Sequence, residues 1–372
     1  MNWRNSAGEA VKFLPSGFCR ISGTRSLAVS MRAFAVLCCT LALLMSTQMR
    51  AVAAQAEASF AGKAISILVG FGPGGANDVW GRTIAQHLGN HLTGRPRVIV
   101  QNVPGAGGLL LMNQLYNLSP RDGTVIGLIN RGIPFEPLLG GNGVQFDPLK
   151  MNWLGSPDRD TTVCVARTDA RVKEMRDLFT KELLVGATGS GADTAIYPEF
   201  LSELLGMKFK TIKGYQGTKE ISLAMERGEV EGQCLAYNSL LRETLAREGR
   251  VNILFQAALT PDTKLGNVPV AADLARSEAD RQALRLFLAR VQLGRPLVLP
   301  PGVPSERVSA LREALSDTLR DPQFLRDATR QSLDVDYISG PDVAGAIASA
   351  YETPKDVVER TASALGRKLP RQ

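Results

Sequence analysis

Glycines and small polar residues carry the chemistry-bearing patterns of this chain. Residues Gly70–Gly75 read GFGPGG and match G-x-G-x-x-G, where the apolar run AISILV ends and a helical spacing begins. Such a turn leaves the first N–H groups of the helix without partners. The helix dipole adds partial positive charge at the same place, which makes an anion site. A dinucleotide would also need an acidic residue about 20 positions on, to hold the ribose hydroxyls. The second strand instead ends VQNVPG, with Gln101 and Asn102 at that place. Pro73 stiffens the loop, and Asp78 puts negative charge where a pyrophosphate would sit. No nicotinamide or other cofactor is therefore expected. Asn77 or Asp78 is positioned to cap the helix, and Asp78 to pair with Arg82 one turn later; the bland alternative is a tight β–α turn with no ligand.

The device recurs. Val185–Ala195, VGATGSGADTA, is again an apolar run, a glycine-rich loop and a helix start, with Thr188 and Ser190 adding hydroxyl donors. PGAGG at Pro104–Gly108 is a third such turn. Two amide-rich helix starts facing each other across a cleft would suit a carboxylate. Catalytic machinery is sparse: there is no G-x-S-x-G elbow and no G-x-x-x-x-G-K-[ST] loop. The two histidines, His87 and His91, have metal-compatible i, i+4 spacing but no H-E-x-x-H and no evident third ligand, and they read as surface residues. Neither a catalytic residue nor a metal site is expected, and the chain reads as a non-enzyme.

Positioning these loops falls to an alternation of strands and helices. AISILVGF, RVIVQNV, TVIGLIN, LLVGAT, FKTIKGY, VEGQCLAY and VNILFQA read as strands, with helical periods between them. Such βαβ repetition predicts an α/β fold with parallel sheets covered by helices. A helix-rich tail follows RPLVLPPGVP, with Val308, Leu311, Leu315 and Leu319 at helical spacing and one more strand-like run, LDVDYI. The pattern predicts two lobes joined by crossovers near residues 155–165 and 290–300, with the tail returning to the first lobe. The expected boundaries are 57–163 plus 298–372 for lobe 1 and 164–297 for lobe 2.

The net charge of +7 is concentrated at the start: residues 1–56 hold six basic residues against Glu9. MRAFAVLCCTLALLM, then AVAAQA, follows the order of a secretory signal peptide. Its apolar core falls short of the roughly 20 residues of a membrane span, so a retained anchor is the alternative and export to a periplasm the expectation. Met1 or Met31 is the start. Without a basic stripe interleaved with aromatics, nucleic-acid binding is not expected. Beyond the leader remain Cys164 and Cys234. An oxidising compartment permits a bridge between them, but two cysteines in apolar runs read first as buried thiols.

Seven segments in order carry a resemblance: ILVGFGPGGANDVWGR, VIVQNVPGAGG, SPRDGTVIGL, GATGSG, IKGYQGTKEISLAMERGEVEG, NVPVAADL and PPGVPSERV. From about Ala64 to the C-terminus the chain resembles the solute receptors of tripartite tricarboxylate transporters, the Bug-type periplasmic binding proteins. The resemblance implies a two-lobed, type II-like binding-protein fold with the ligand cleft between the lobes. It implies a small organic carboxylate as ligand (a di- or tricarboxylate, an aromatic acid or an acidic amino acid) and large and small integral membrane subunits as partners. The first family loop matches Phe71, Gly74, Gly75, Asn77 and Asp78; the opposing loop matches Thr188, Gly189, Ser190, Gly191 and Asp193. Tyr215 and Gly217 match an aromatic–x–glycine turn, and Tyr237 and Asn238 follow the strand that borders the cleft. Ala192 and Asp193 depart from the family pattern. An inward Asp193 would repel a carboxylate, so it is expected to cap its helix.

The chain is expected to act as a monomeric receptor. Two alternatives stand beside this. A receptor of the same fold could serve an ABC permease or a sensor kinase, with Arg131 after the third strand as an arginine clamp. A nucleotide-dependent enzyme is the other.

Overall fold

The structure, a computed structural model, describes residues 59–369. The leader expected over residues 1–56 lies outside them. Among the described residues no helix is long and apolar enough to cross a membrane.

Lobe 1 is built on a six-stranded sheet. β1 (Ala64–Val69), β2 (Arg97–Asn102) and β3 (Val125–Leu128) are parallel, and β4 (Asn152–Ser156) lies further across. The five strands of lobe 2 are β5 (Thr162–Arg167), β6 (Leu183–Ala187), β7 (Phe209–Lys213), β8 (Gly232–Ala236) and β9 (Val251–Ala257), in the order β7-β6-β8-β5-β9. The chain then returns to lobe 1 with β10 (Leu297–Leu299), inserted between β3 and β4, and β11 (Ile338–Ser339) at the edge. Parallel sheets were expected, and the sheets combine parallel and antiparallel pairs. β10 runs antiparallel to β3 and β4, and β5 antiparallel to β8 and β9. The reason is the crossovers: a strand entering from the other lobe arrives at the opposite end of the sheet from one that follows a βα unit.

Helices cover both sheets. They are α1 (Ala76–Leu88), α2 (Leu109–Asn117), α3 (Asp193–Leu205), α4 (Thr218–Arg227), the single turns α5 (Tyr237–Leu240) and α6 (Thr244–Arg247), α7 (Glu278–Leu288), α8 (Ser305–Arg320), α9 (Pro322–Arg330), α10 (Gly340–Tyr351) and α11 (Lys355–Ala364). The apolar stripe of α1 (Trp80, Ile84 and Leu88) and that of α8 (Val308, Leu311, Leu315 and Leu319) are buried in one core with β1 and β3. Each such side chain contributes about 1.5–3 kcal/mol on leaving water. In lobe 2, Phe200 of α3 stacks on Phe287 of α7 with ring centroids 3.8 Å apart. The final helix α11 packs against α7 and α3. Of the run LDVDYI only Ile338 enters a strand.

Cys164 and Cys234 are directly opposite across β5 and β8 and are joined as a disulfide. This corrects the reading of them as separate buried thiols. They are 70 residues apart, and the antiparallel register that aligns them follows from the crossover. His87 and His91 are also not simply surface residues. His87 is buried, 2.9 Å from Asp327 and edge-on to Phe324, and His91 lies 3.1 Å from Asp321. The acceptors stand on and at the start of α9, about 240 residues along the chain, beyond the reach of a local pattern.

Candidate functional site

The two crossovers touch. Residues 157–161 lead out of lobe 1 and 289–296 lead back. Gly294 has a φ of +57°, and a Cβ there would overlap the Asp158 carbonyl oxygen. Only glycine combines that backbone with so close an approach. Above this junction the loops at the strand ends enclose a cavity of about 80 Å³.

Three helix N-termini open into the cavity. Gly75, Ala76 and Asn77 bring the first turn of α1; Ala192, Asp193 and Thr194 bring that of α3; Gly217 and Thr218 bring that of α4. Each contributes first-turn amides and the positive end of its dipole. Phe71 and Ile129 supply apolar wall, and Asn130, Arg131, Ser239 and Arg295 supply polar floor. Thr188 lines the cavity, with its own amide already bonded to Thr194 Oγ1 at 3.0 Å.

Of the residues expected at the site, the cavity brings together Phe71, Gly75, Asn77, Thr188, Asp193 and Gly217. The others lie elsewhere. Gly74 is exposed on the outer side of its loop. Asp78 is 2% exposed and holds that loop together, accepting from the Gly74 amide at 2.8 Å, Arg82 Nε at 2.9 Å and Asn102 Nδ2 at 2.8 Å. Burial pushes the Asp78 carboxyl up, but the hydrogen bonds from Arg82, Gly74 and Asn102 outweigh it and hold it below the usual range. Gly189 and Gly191 pack on the PGAGG turn of the other lobe: a Cβ on Gly189 would lie 2.8 Å from the Gly107 amide nitrogen. Ser190 is exposed, 3.3 Å from Lys213 Nζ. Tyr215 and Tyr237 pack on a second core of lobe 2, beside Ile221 and Leu240. Asn238 is buried and donates its backbone N–H to Asp160 at 3.1 Å.

Asp193 overturns the expectation of a cap. The N-cap of α3 is Ala192 and no side chain caps it. Asp193 reaches across to lobe 1, where its Oδ2 accepts from Arg131 Nε at 2.7 Å and its Oδ1 from Asn130 Nδ2 at 3.4 Å. The rest of the Arg131 guanidinium donates to Thr162 Oγ1 and the Asp160 carbonyl. Burial works against its charge, yet Asp193, with Tyr197 and Asp160, holds its pKa above the ordinary guanidinium value.

Arg295 ties the crossovers together, paired with Asp158, 3.3 Å from Asp160, and donating to Ser239 Oγ at 3.1 Å. Burial pushes the Asp160 carboxyl up to about 7 and pulls Arg295 down to about 9. Arg290 is wholly buried, with its guanidinium carbon 4.4 Å from the ring centre of Phe287.

Sequence reasoning did not single out Asn130, Ser239, Thr218 and Arg295. The first was open to discovery, since it follows β3, and ligands sit at the carboxyl ends of strands in such sheets. Arg295 lies in a stretch without a recognisable pattern.

A family model described as the tripartite tricarboxylate transporter family receptor matches residues 81–362. A UPF0065 protein from the gbd 5′ region of Cupriavidus necator is 22% identical over 318 residues, covering 83% of this chain and 91% of that protein. Among solved structures, the periplasmic binding protein BugD superposes with a TM-score of 0.63 at 20% identity, over 81% of this chain and 97% of its own. MatC from Rhodopseudomonas palustris, solved with bound malate, gives 0.64 at 19% identity, over 81% and 98%. These likenesses agree on a two-lobed binding-protein fold.

Proposed function

The chain belongs to the tripartite tricarboxylate transporter family of receptors, and from that premise we propose that it is a periplasmic receptor for a small organic carboxylate. It binds without covalent chemistry, by hinged closure of two lobes, and hands the solute to the large and small membrane subunits of a tripartite transporter. The observation that carries this reading is the convergence of three helix N-termini, those of α1, α3 and α4, on one interlobe cavity. Amide donors and helix dipoles aimed at one point favour negative charge there. MatC, solved with bound malate, supports the same ligand class.

Gly75 to Asn77 on one side and Thr188, Thr194 and Thr218 on the other are the groups that bind the carboxylate. The lobes meet through the Gly72 amide and the Gln216 carbonyl oxygen at 3.3 Å, through Gly107 against Gly189, and through Arg131 with Asp193. These contacts belong to the closed form, which the membrane subunits recognise. An arginine clamp of the kind considered for an ABC receptor is disfavoured, because Arg131 is already occupied by Asp193. Titration calorimetry and thermal shift against mono-, di- and tricarboxylates, aromatic acids and amino acids test the reading. Binding in at least one class is expected; silence across all of them refutes it.

A further inference from the structure

The charge pattern of the cleft narrows the solute class. Among the described residues lining the cavity, the charged side chains are Arg131, Asp193 and Arg295. Both cations are committed. Arg131 donates to Asp193, Thr162 and the Asp160 carbonyl, and Arg295 serves Asp158, Asp160 and Ser239. Arg290 has terminal nitrogens without a hydrogen-bond partner, but it is wholly buried and does not line the cavity. Lys219 stands by exposed Gly74, outside the cavity, and Lys213 is held 2.6 Å from Glu199.

Asp193 is the exception. One of its oxygens has only the 3.4 Å contact from Asn130, and its side chain keeps 14% exposure. An ionised carboxylate has about four acceptor positions, so capacity remains. Buried acceptor charge left unsatisfied is costly, and a like charge brought against it more so. A second carboxylate on the solute would meet Asp193 with no uncommitted cation among the residues lining the cavity. An ammonium there would instead add the missing donors.

We infer that Asp193 determines specificity, and that the solute joins one carboxylate, held at the helix N-termini, to a cationic ammonium held by Asp193. The inference rests on reading the cleft as a carboxylate receptor, and it sets this chain apart from the malate-bound neighbour.

The test is calorimetry on the purified chain with three series of two to six carbons: amino acids (α- and ω-amino), dicarboxylates and plain monocarboxylates. The expected result is that the best amino acid binds about tenfold or more tighter than the dicarboxylate and the monocarboxylate of equal length, a margin of about 1.4 kcal/mol. Asp193→Asn, with its fold checked by circular dichroism, should remove that margin. A dicarboxylate or monocarboxylate that binds as tightly as the best amino acid overturns the inference and leaves the receptor reading standing. Silence in all three series overturns the inference, and the receptor reading is then decided by the tricarboxylate and aromatic-acid titrations. Should Asp193→Asn not fold, the ranking by the unmutated chain decides.

Discussion

Replacing Gly189 by alanine should disable closure without touching the solute. Gly189 sits where the second glycine-rich loop meets the PGAGG turn of the other lobe. Its added Cβ would lie 2.8 Å from the Gly107 amide nitrogen, 3.4 Å from the Ala106 carbonyl carbon and 3.5 Å from the Gly107 Cα. These are backbone atoms of a tight turn, so no flexible side chain can swing aside. Gly189 is not among the positive-φ glycines, so alanine brings no backbone strain of its own. Overpacking of this kind costs about 1–3 kcal/mol, which corresponds to a rise in Kd of about 5- to 150-fold. Parting the lobes relieves the clash, so the unliganded chain should lose less stability than affinity. Calorimetry with any carboxylate that binds the unmutated chain reads the first effect, and urea denaturation the second. Gly345→Ala, where the new Cβ meets nothing within 4 Å, is the control. A Kd for Gly189→Ala within about twofold of the control would refute the view that these loops must meet for binding.

Three further outcomes follow from the same geometry. The Cys164→Ala/Cys234→Ala pair should lose about 2–4 kcal/mol of unfolding free energy, because the bridge closes a segment of 70 residues; an unchanged urea midpoint would count against it. Arg295→Met should cost about 3–5 kcal/mol, since it strands the buried Asp158 carboxylate; denaturation is again the measure, and Arg295→Met/Asp158→Leu should recover part of the loss. Asp122 is pushed up by burial, but hydrogen bonds from Thr124 and Lys63 bring it down to about 2. A depressed carboxyl stabilises the fold above its ordinary value of 3.8 and loses that contribution as pH falls towards 2. The melting temperature of the unmutated chain should therefore drop more steeply than that of Asp122→Asn across this window, and parallel curves would contradict the assignment.

Local chemistry was legible in the sequence by itself. Strand-to-helix turns at Gly72–Gly75 and in GATGSG follow from apolar runs ending in glycine, and the pairing of Asp78 with Arg82 follows from i, i+4 spacing. The buried stripes of α1 and α8 follow from a period of 3.6. The two-lobed α/β fold was readable from this order of elements, and the receptor family from the resemblance that seven segments carry. What the sequence could not determine was which groups meet across the cleft. Asp193 was expected to serve its own helix and instead takes Arg131, a residue 62 positions away. Cys164 and Cys234 are opposed only because β5 enters lobe 2 antiparallel to β8. Arg295 finds Asp158 only because the return crossover lies against the outgoing one at Gly294. Local patterns constrain torsions and caps within a turn or two, whereas charge partners are chosen by the register of sheets and the contact of lobes. Those depend on the whole chain packing at once.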